Sequence, residues 1–148
     1  MSAPENGGPE SEEQAVKYML LMQFNEKNTD FAPITEWSPE EIKAHIGFMR
    51  DTNARLTEAG ELVDAQGLAM PATAKIVRSH AGGPPLVTEG PFAETKEFLA
   101  GWWIVDCDSP ERAVEIAAYV SAAPGPKGDP LNMPIEVREV MSAPPAEL

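Results

Sequence analysis

Cysteine is almost missing from this chain. A single one, Cys107, stands in 148 residues, so no disulfide can close within one molecule, which suits a reducing compartment. Positive charge is scarce as well: 11 Lys and Arg face 24 Asp and Glu, for a net charge of −13. Phosphate recognition draws on clustered Lys and Arg, so neither nucleic acid nor an anionic membrane surface is expected as a partner. Histidine is limited to His45 and His80, on separate segments and without ligand spacing, so no metal site is expected. No apolar run approaches the roughly 18 residues of a membrane span. The opening MSAPENGGPESEEQA has neither the basic flank nor the apolar centre of a signal peptide. P-loop, dinucleotide-binding and nucleophile-elbow motifs are also missing, and no cofactor is expected. These absences leave a soluble, cytoplasmic, single-domain protein as the expectation.

What is present alternates cleanly. Residues 1–15 are rich in Gly, Pro, Ser and Glu and have little to bury, so they read as a disordered tail; 143–148 read as a second tail, leaving a domain over 16–142. KYMLLMQF (17–24) is a nearly continuous apolar run, as a central strand requires. Ser38, Pro39 and Glu41 form a capping box with Pro at the first helical position, and Gly60 supplies the left-handed stop. ELVDAQGLA (61–69) alternates as a strand, with Leu62, Asp64, Gln66 and Leu68 on one face. Two further runs, 73–80 and 85–88, flank Gly82-Gly83-Pro84 as a hairpin. LAGWWIVDCD (99–108) is a strand; Ser109 caps a second helix whose stripe is Ala113, Ile116, Ala117 and Val120; MPIEVREVM (133–141) is a last strand. The order predicts an α+β, ferredoxin-like βαββαβ plait with an extra hairpin. Such a sheet leaves one face bare, and a second copy of the chain is the simplest cover, so a homodimer is expected.

Candidate site residues lie on three segments. At about 100° per residue, Ile42, His45, Ile46, Met49, Thr52, Asn53 and Leu56 share one side of the first helix. His45 and Asn53 on that side either satisfy backbone groups at the ends of the core or line a pocket under the helix, His45 then acting as base or donor. Asp64 and Gln66 either sit at a solvent rim or point into a cleft, where Asp64 would pair with His45. Trp102 is a further ligand-contacting candidate. In EGPFAETKEF, Gly90 and Pro91 fix a sharp turn, Phe92 plugs the core, and Glu89 and Glu94 close the loop with charge-assisted bonds. Lys96 in that loop can hold an anionic ligand, although a stiff scaffold is the simpler reading. Cys107 faces the same way as Trp103 and Val105 and reads as a small buried hydrophobe.

EGPFAETKEFLAGWWIVDCDSPERA, with KYMLLM before it and AGELVDAQGLA after the first helix, closely resembles the signature of the YCII-related family, in its DGPF branch. Glu89 replaces the branch's Asp. The resemblance spans residues 17–141 and implies a dimeric α/β barrel, formed through the open sheet face. It also implies a small-molecule protein. Members of the wider family carry a paired His and Asp, one relative acts on a chlorinated hydroxyquinone, and related barrels take small aromatic or lactone substrates. The family's helix-one histidine falls on Met49 in this chain, with His45 one turn earlier. Two functions therefore stay open. One is a small-molecule-binding protein with cofactor-free acid–base chemistry, of lyase or isomerase type, through His45 and Asp64. The other is a non-catalytic ligand- or protein-binding module, which the resemblance links to sigma-factor regulation.

If the turn is scaffold, Gly90→Ala should lower stability by roughly 1 kcal/mol or more, whereas Lys96→Ala should cost less than that. Chemical denaturation of both variants checks the order; a larger loss in Lys96→Ala would make the lysine structural.

Overall fold

The computed structural model describes residues 16–25, 31–32, 34–89 and 97–141. The two tails lie outside this range, as do Gly90, Pro91, Phe92, Glu94 and Lys96 of the turn. Among these residues, six strands and two long helices follow the chain in the expected order: β1 (Val16–Asn25), α1 (Pro39–Glu58), β2 (Leu62–Gly67), β3 (Lys75–Arg78), β4 (Leu86–Glu89), β5 (Glu97–Cys107), α2 (Pro110–Ser121) and β6 (Ile135–Glu139). Four strands make one antiparallel sheet, ordered β2-β5-β1-β6. This is the ferredoxin-like order, with both helices against one face.

Local chemistry sets the helix ends as the sequence predicts. Ser38 Oγ accepts the Glu41 amide at 3.1 Å, and Glu41 Oε1 accepts the Ser38 amide at 2.9 Å, completing the capping box. At the other end Gly60 has φ +76°, while Gly60 N–H reaches Thr57 O and Glu61 N–H reaches Leu56 O. That is a Schellman stop, and it needs a residue without Cβ. Ser109 Oγ caps α2 through the Arg112 amide at 3.1 Å.

The core lies between the helices and the inner face of the sheet. Leu20 and Val105 are fully buried, and Tyr18, Trp103, Cys107, Leu56, Ala113, Ile116, Ala117 and Val120 close around them. Cys107 is among them, and its burial pushes the thiol pKa up, which agrees with its reading as a small hydrophobe. Ile46, by contrast, is 43% exposed although it lies on the inward stripe of α1. On the opposite sheet face, register places Met19, Leu21, Trp102 and Ile104 side by side, with neither described long helix on that face.

Strand β2 departs from the simple alternation. Leu62 pairs with Val105, but Asp64 pairs with Ile104, so Val63 is an extra residue. This bulge reverses the side-chain phase beyond it. Leu62 packs against the core, whereas Asp64 falls on the outer face beside Trp102 and Ile104. The expectation that Leu62 and Asp64 share a face is therefore corrected. A bulge leaves no mark in the hydrophobic pattern of so short a strand. Glycine at position 101 permits the close pairing that follows: a Cβ there would lie 2.6 Å from Gln66 O.

Two carboxylates tie distant segments together. Glu61, at the head of β2, takes two bonds from the Arg112 guanidinium, at 2.9 and 2.8 Å. These bonds hold the Glu61 pKa below the usual carboxylate range. Glu41 Oε2 accepts the Lys127 amide at 2.9 Å, and that bond and the Ser38 amide lower its pKa as well. Because both folded pKa values lie below the unfolded ones, their stabilisation is complete above an unfolded value of about 4.3. It is lost as pH falls through the folded values. Glu61→Gln should cost about 1–2 kcal/mol at neutral pH, toward the lower end because Arg112 is partly exposed. Urea titrations at pH 7 and at pH 3 (about one unit below the unfolded value) check this: the gap to wild type should shrink in acid, and a constant gap would refute it.

Candidate functional site

Helix α1 presents its inner stripe to the end of the sheet where β2 finishes and β5 begins. His45, Met49 and Asn53 follow one another at one-turn spacing along this stripe. Opposite them, β1 and β5 contribute Met22, Phe24, Phe98 and Trp103, and the segment before β6 contributes Leu131 and Met133. Phe24 and Phe98 meet with ring centroids 5.0 Å apart. Phe31, Ile34 and Trp37, between β1 and α1, border the mouth. Together these residues enclose a cavity of about 460 Å³, a size suited to a small organic molecule. Its described lining contains no Asp, Glu, Lys or Arg.

Two polar side chains of α1 interrupt the apolar wall in a defined way. His45 Nδ1 lies 3.0 Å from Pro124 O. A carbonyl only accepts, so Nδ1 carries the proton and, in the neutral ring, Nε2 keeps its lone pair. The Trp37 and His45 rings meet in a T shape, with centroids 5.4 Å apart and planes at 83°, which further fixes the imidazole. Asn53 Oδ1 accepts the Trp103 indole N–H at 2.8 Å. Its amide NH₂ then has no partner among the described residues. The helix side of the wall thus offers one acceptor, on His45, and one donor, on Asn53.

The remaining candidates are distributed differently. His45 and Asp64 are not brought together: Asp64 lies on the outer sheet face and is not part of the cavity wall. Its carboxylate instead accepts the Trp102 indole N–H at 3.3 Å and the Gln66 amide at 3.1 Å. Gln66 and Trp102 touch the cavity wall, but their polar groups are turned to Asp64. Glu89 ends β4 and bonds Lys75 at 3.3 Å across the hairpin, with both side chains exposed. Lys96 and the rest of the turn lie outside the described residues. Among those described, no three His, Cys, Asp or Glu side chains converge as a metal site would need, and no helix is long and apolar enough to cross a membrane.

Sequence reasoning missed Trp37, Phe24, Phe98, Trp103 and Met133. The first-helix stripe was legible from spacing, but its sheet partners depend on register, which two bulges displace. Trp103 rather than Trp102 meets the helix because β5 turns alternate residues inward.

The Trp103–Asn53 bond should be structural as well as site-forming. Asn53→Leu strands the buried indole N–H and should cost about 1–3 kcal/mol. Trp103→Phe in the same background should recover part of that loss. A double-mutant denaturation cycle measures it, and strict additivity would show that the bond contributes nothing.

Comparison with known proteins agrees with this architecture. The model of the YCII-related domain matches residues 16–124. An uncharacterized protein of Rhizobium meliloti (strain 1021) is 36% identical over 119 residues, covering 80% of this chain and 91% of that protein. The chain belongs to the YCII-related family.

Proposed function

We propose that this protein binds a small, uncharged molecule in the cavity between α1 and the sheet. The observation that carries this reading is the polar pair that α1 sets into a largely apolar wall: His45 Nε2 as acceptor, fixed by the Pro124 carbonyl, and the spare Asn53 NH₂ as donor. An ionised ligand would be desolvated there without a counter-charge, at a cost of several kcal/mol. A ligand with an apolar body and one hydroxyl or enol group matches the wall. That group would donate to Nε2 and accept from Asn53. Where its proton is acidic enough, His45 is the base that removes it, in cofactor-free acid–base chemistry.

A non-catalytic binding role has its own support. No described carboxylate backs His45, because Asp64 sits on the other side of the sheet, so the imidazolium formed by proton transfer has only a carbonyl to stabilise it. On either reading we propose a homodimer. The outer face groups Met19, Trp102 and Ile104, each partly exposed, around the already buried Leu21, and a second copy would cover them.

Binding of 2-naphthol, followed by thermal shift and Trp fluorescence, checks the pocket. It should exceed that of naphthalene, and His45→Leu should weaken it by about tenfold, or 1.4 kcal/mol. Equal affinity for both probes, unchanged in His45→Leu, would refute the assignment. Proton-transfer chemistry is checked separately by His45-dependent deuterium exchange into a bound enolisable ketone such as 2-tetralone.

A further inference from the structure

Strands β3 and β4 form a second sheet that hydrogen-bonds to no strand of the first. From Ala72 to Glu89 every residue is exposed. Ile76, Val77, Leu86 and Val87 are each 50% to 59% exposed, although their side chains are of the kind that strands normally bury. Register sets Val77 opposite Val87 on one face, and Ile76 opposite Thr88 and Arg78 opposite Leu86 on the other. Both faces of this arm are therefore apolar and bare. A two-stranded ribbon is marginal in water unless a hydrophobic face is covered, and two open edges invite pairing with another chain.

Charge indicates what covers it. The arm holds Lys75 and Arg78 against Glu89 alone, in a chain whose net charge is −13. Lys75 is paired with Glu89, whereas Arg78 has no ion-pair partner among the described residues. The arm is thus an apolar, basic projection on an acidic molecule, and the surface that complements it is the acidic surface of the same chain. We propose that the β3–β4 arm is a clasp that packs on a second copy, burying its valines and setting Arg78 against that copy's carboxylates. In a two-fold dimer each copy gives one arm and receives one, so the contact closes without further growth. The clasp rests on the homodimer reading and adds a second contact, separate from the outer sheet face.

Photo-crosslinking from benzoylphenylalanine in place of Val77, in a mixture of isotopically light and heavy protein, tests the contact directly. Light-to-heavy peptides between two copies are the expected result. In sedimentation equilibrium, Lys75→Glu with Arg78→Glu should weaken the dimer by about tenfold or more. Val77→Thr with Val87→Thr, which keeps strand-forming residues, should do the same with the near-ultraviolet tryptophan spectrum unchanged. A dimer of unaltered strength, with crosslinks confined to single chains, would overturn the clasp while leaving the outer-face dimer standing. A wild-type chain that sediments as a monomer at about 100 µM, well above a micromolar dissociation constant, would overturn both. Crosslinks only to a different protein would replace the second copy with a foreign partner.

Discussion

Strand β5 is paired along both edges, and each neighbour is out of step with it by one residue. Against β1 the step falls between Met22 and Gln23, and against β2 it falls at Val63. In a sheet a single-residue step exchanges the two faces. Part of the site follows from these two steps: they set Phe98 opposite Phe24 on the α1 side and send Asp64 to the outside. The close approach at Gly101 belongs to the same region, where any Cβ would strike the β2 backbone.

The cavity inherits its chemistry from this geometry. Aromatic and methionine side chains fill the sheet side, and the helix adds one imidazole and one carboxamide. Each of the two polar groups spends one hydrogen-bonding function on the protein and keeps another. The Pro124 carbonyl decides the histidine tautomer, and the Trp103 indole decides how Asn53 is oriented. A protein of net charge −13 thus surrounds a described cavity wall with no formal charge. The wall offers shape and neutral hydrogen-bonding groups rather than charge.

Long-range ties hold this arrangement at both ends. Glu41 serves its own helix cap and the turn at Lys127, so the start of α1 is tied to the segment leading to Leu131 and Met133. Glu61 and Arg112 do the same for β2 and α2. Each tie uses both carboxylate oxygens, and each draws its strength from ionised groups partly withdrawn from water. The β3–β4 arm lies beyond all of these ties, with Val77 and Val87 exposed and Arg78 without an ion-pair partner among the described residues.

The local elements were written in the sequence because their causes are local. Ser38, Glu41 and Gly60 specify where α1 starts and stops whatever lies beyond it, alternation reveals β2 and β6, and an apolar run reveals β5. Element order then leaves the ferredoxin-like plait as the compact solution, and helical spacing alone placed His45 and Asn53 on the inward stripe. The pairing of His45 with Asp64 was a different kind of expectation. It assumed unbroken alternation in β2, and the bulge at Val63 broke it. A bulge is chosen by how two strands fit against a third, which involves residues some forty positions apart (Asp64 beside Ile104). The sequence by itself determined the elements, their caps and the inward face of α1; only the tertiary structure decided register, and with it which polar groups share a cavity, because a one-residue slip costs little locally yet moves every side chain beyond it to the other side of the sheet.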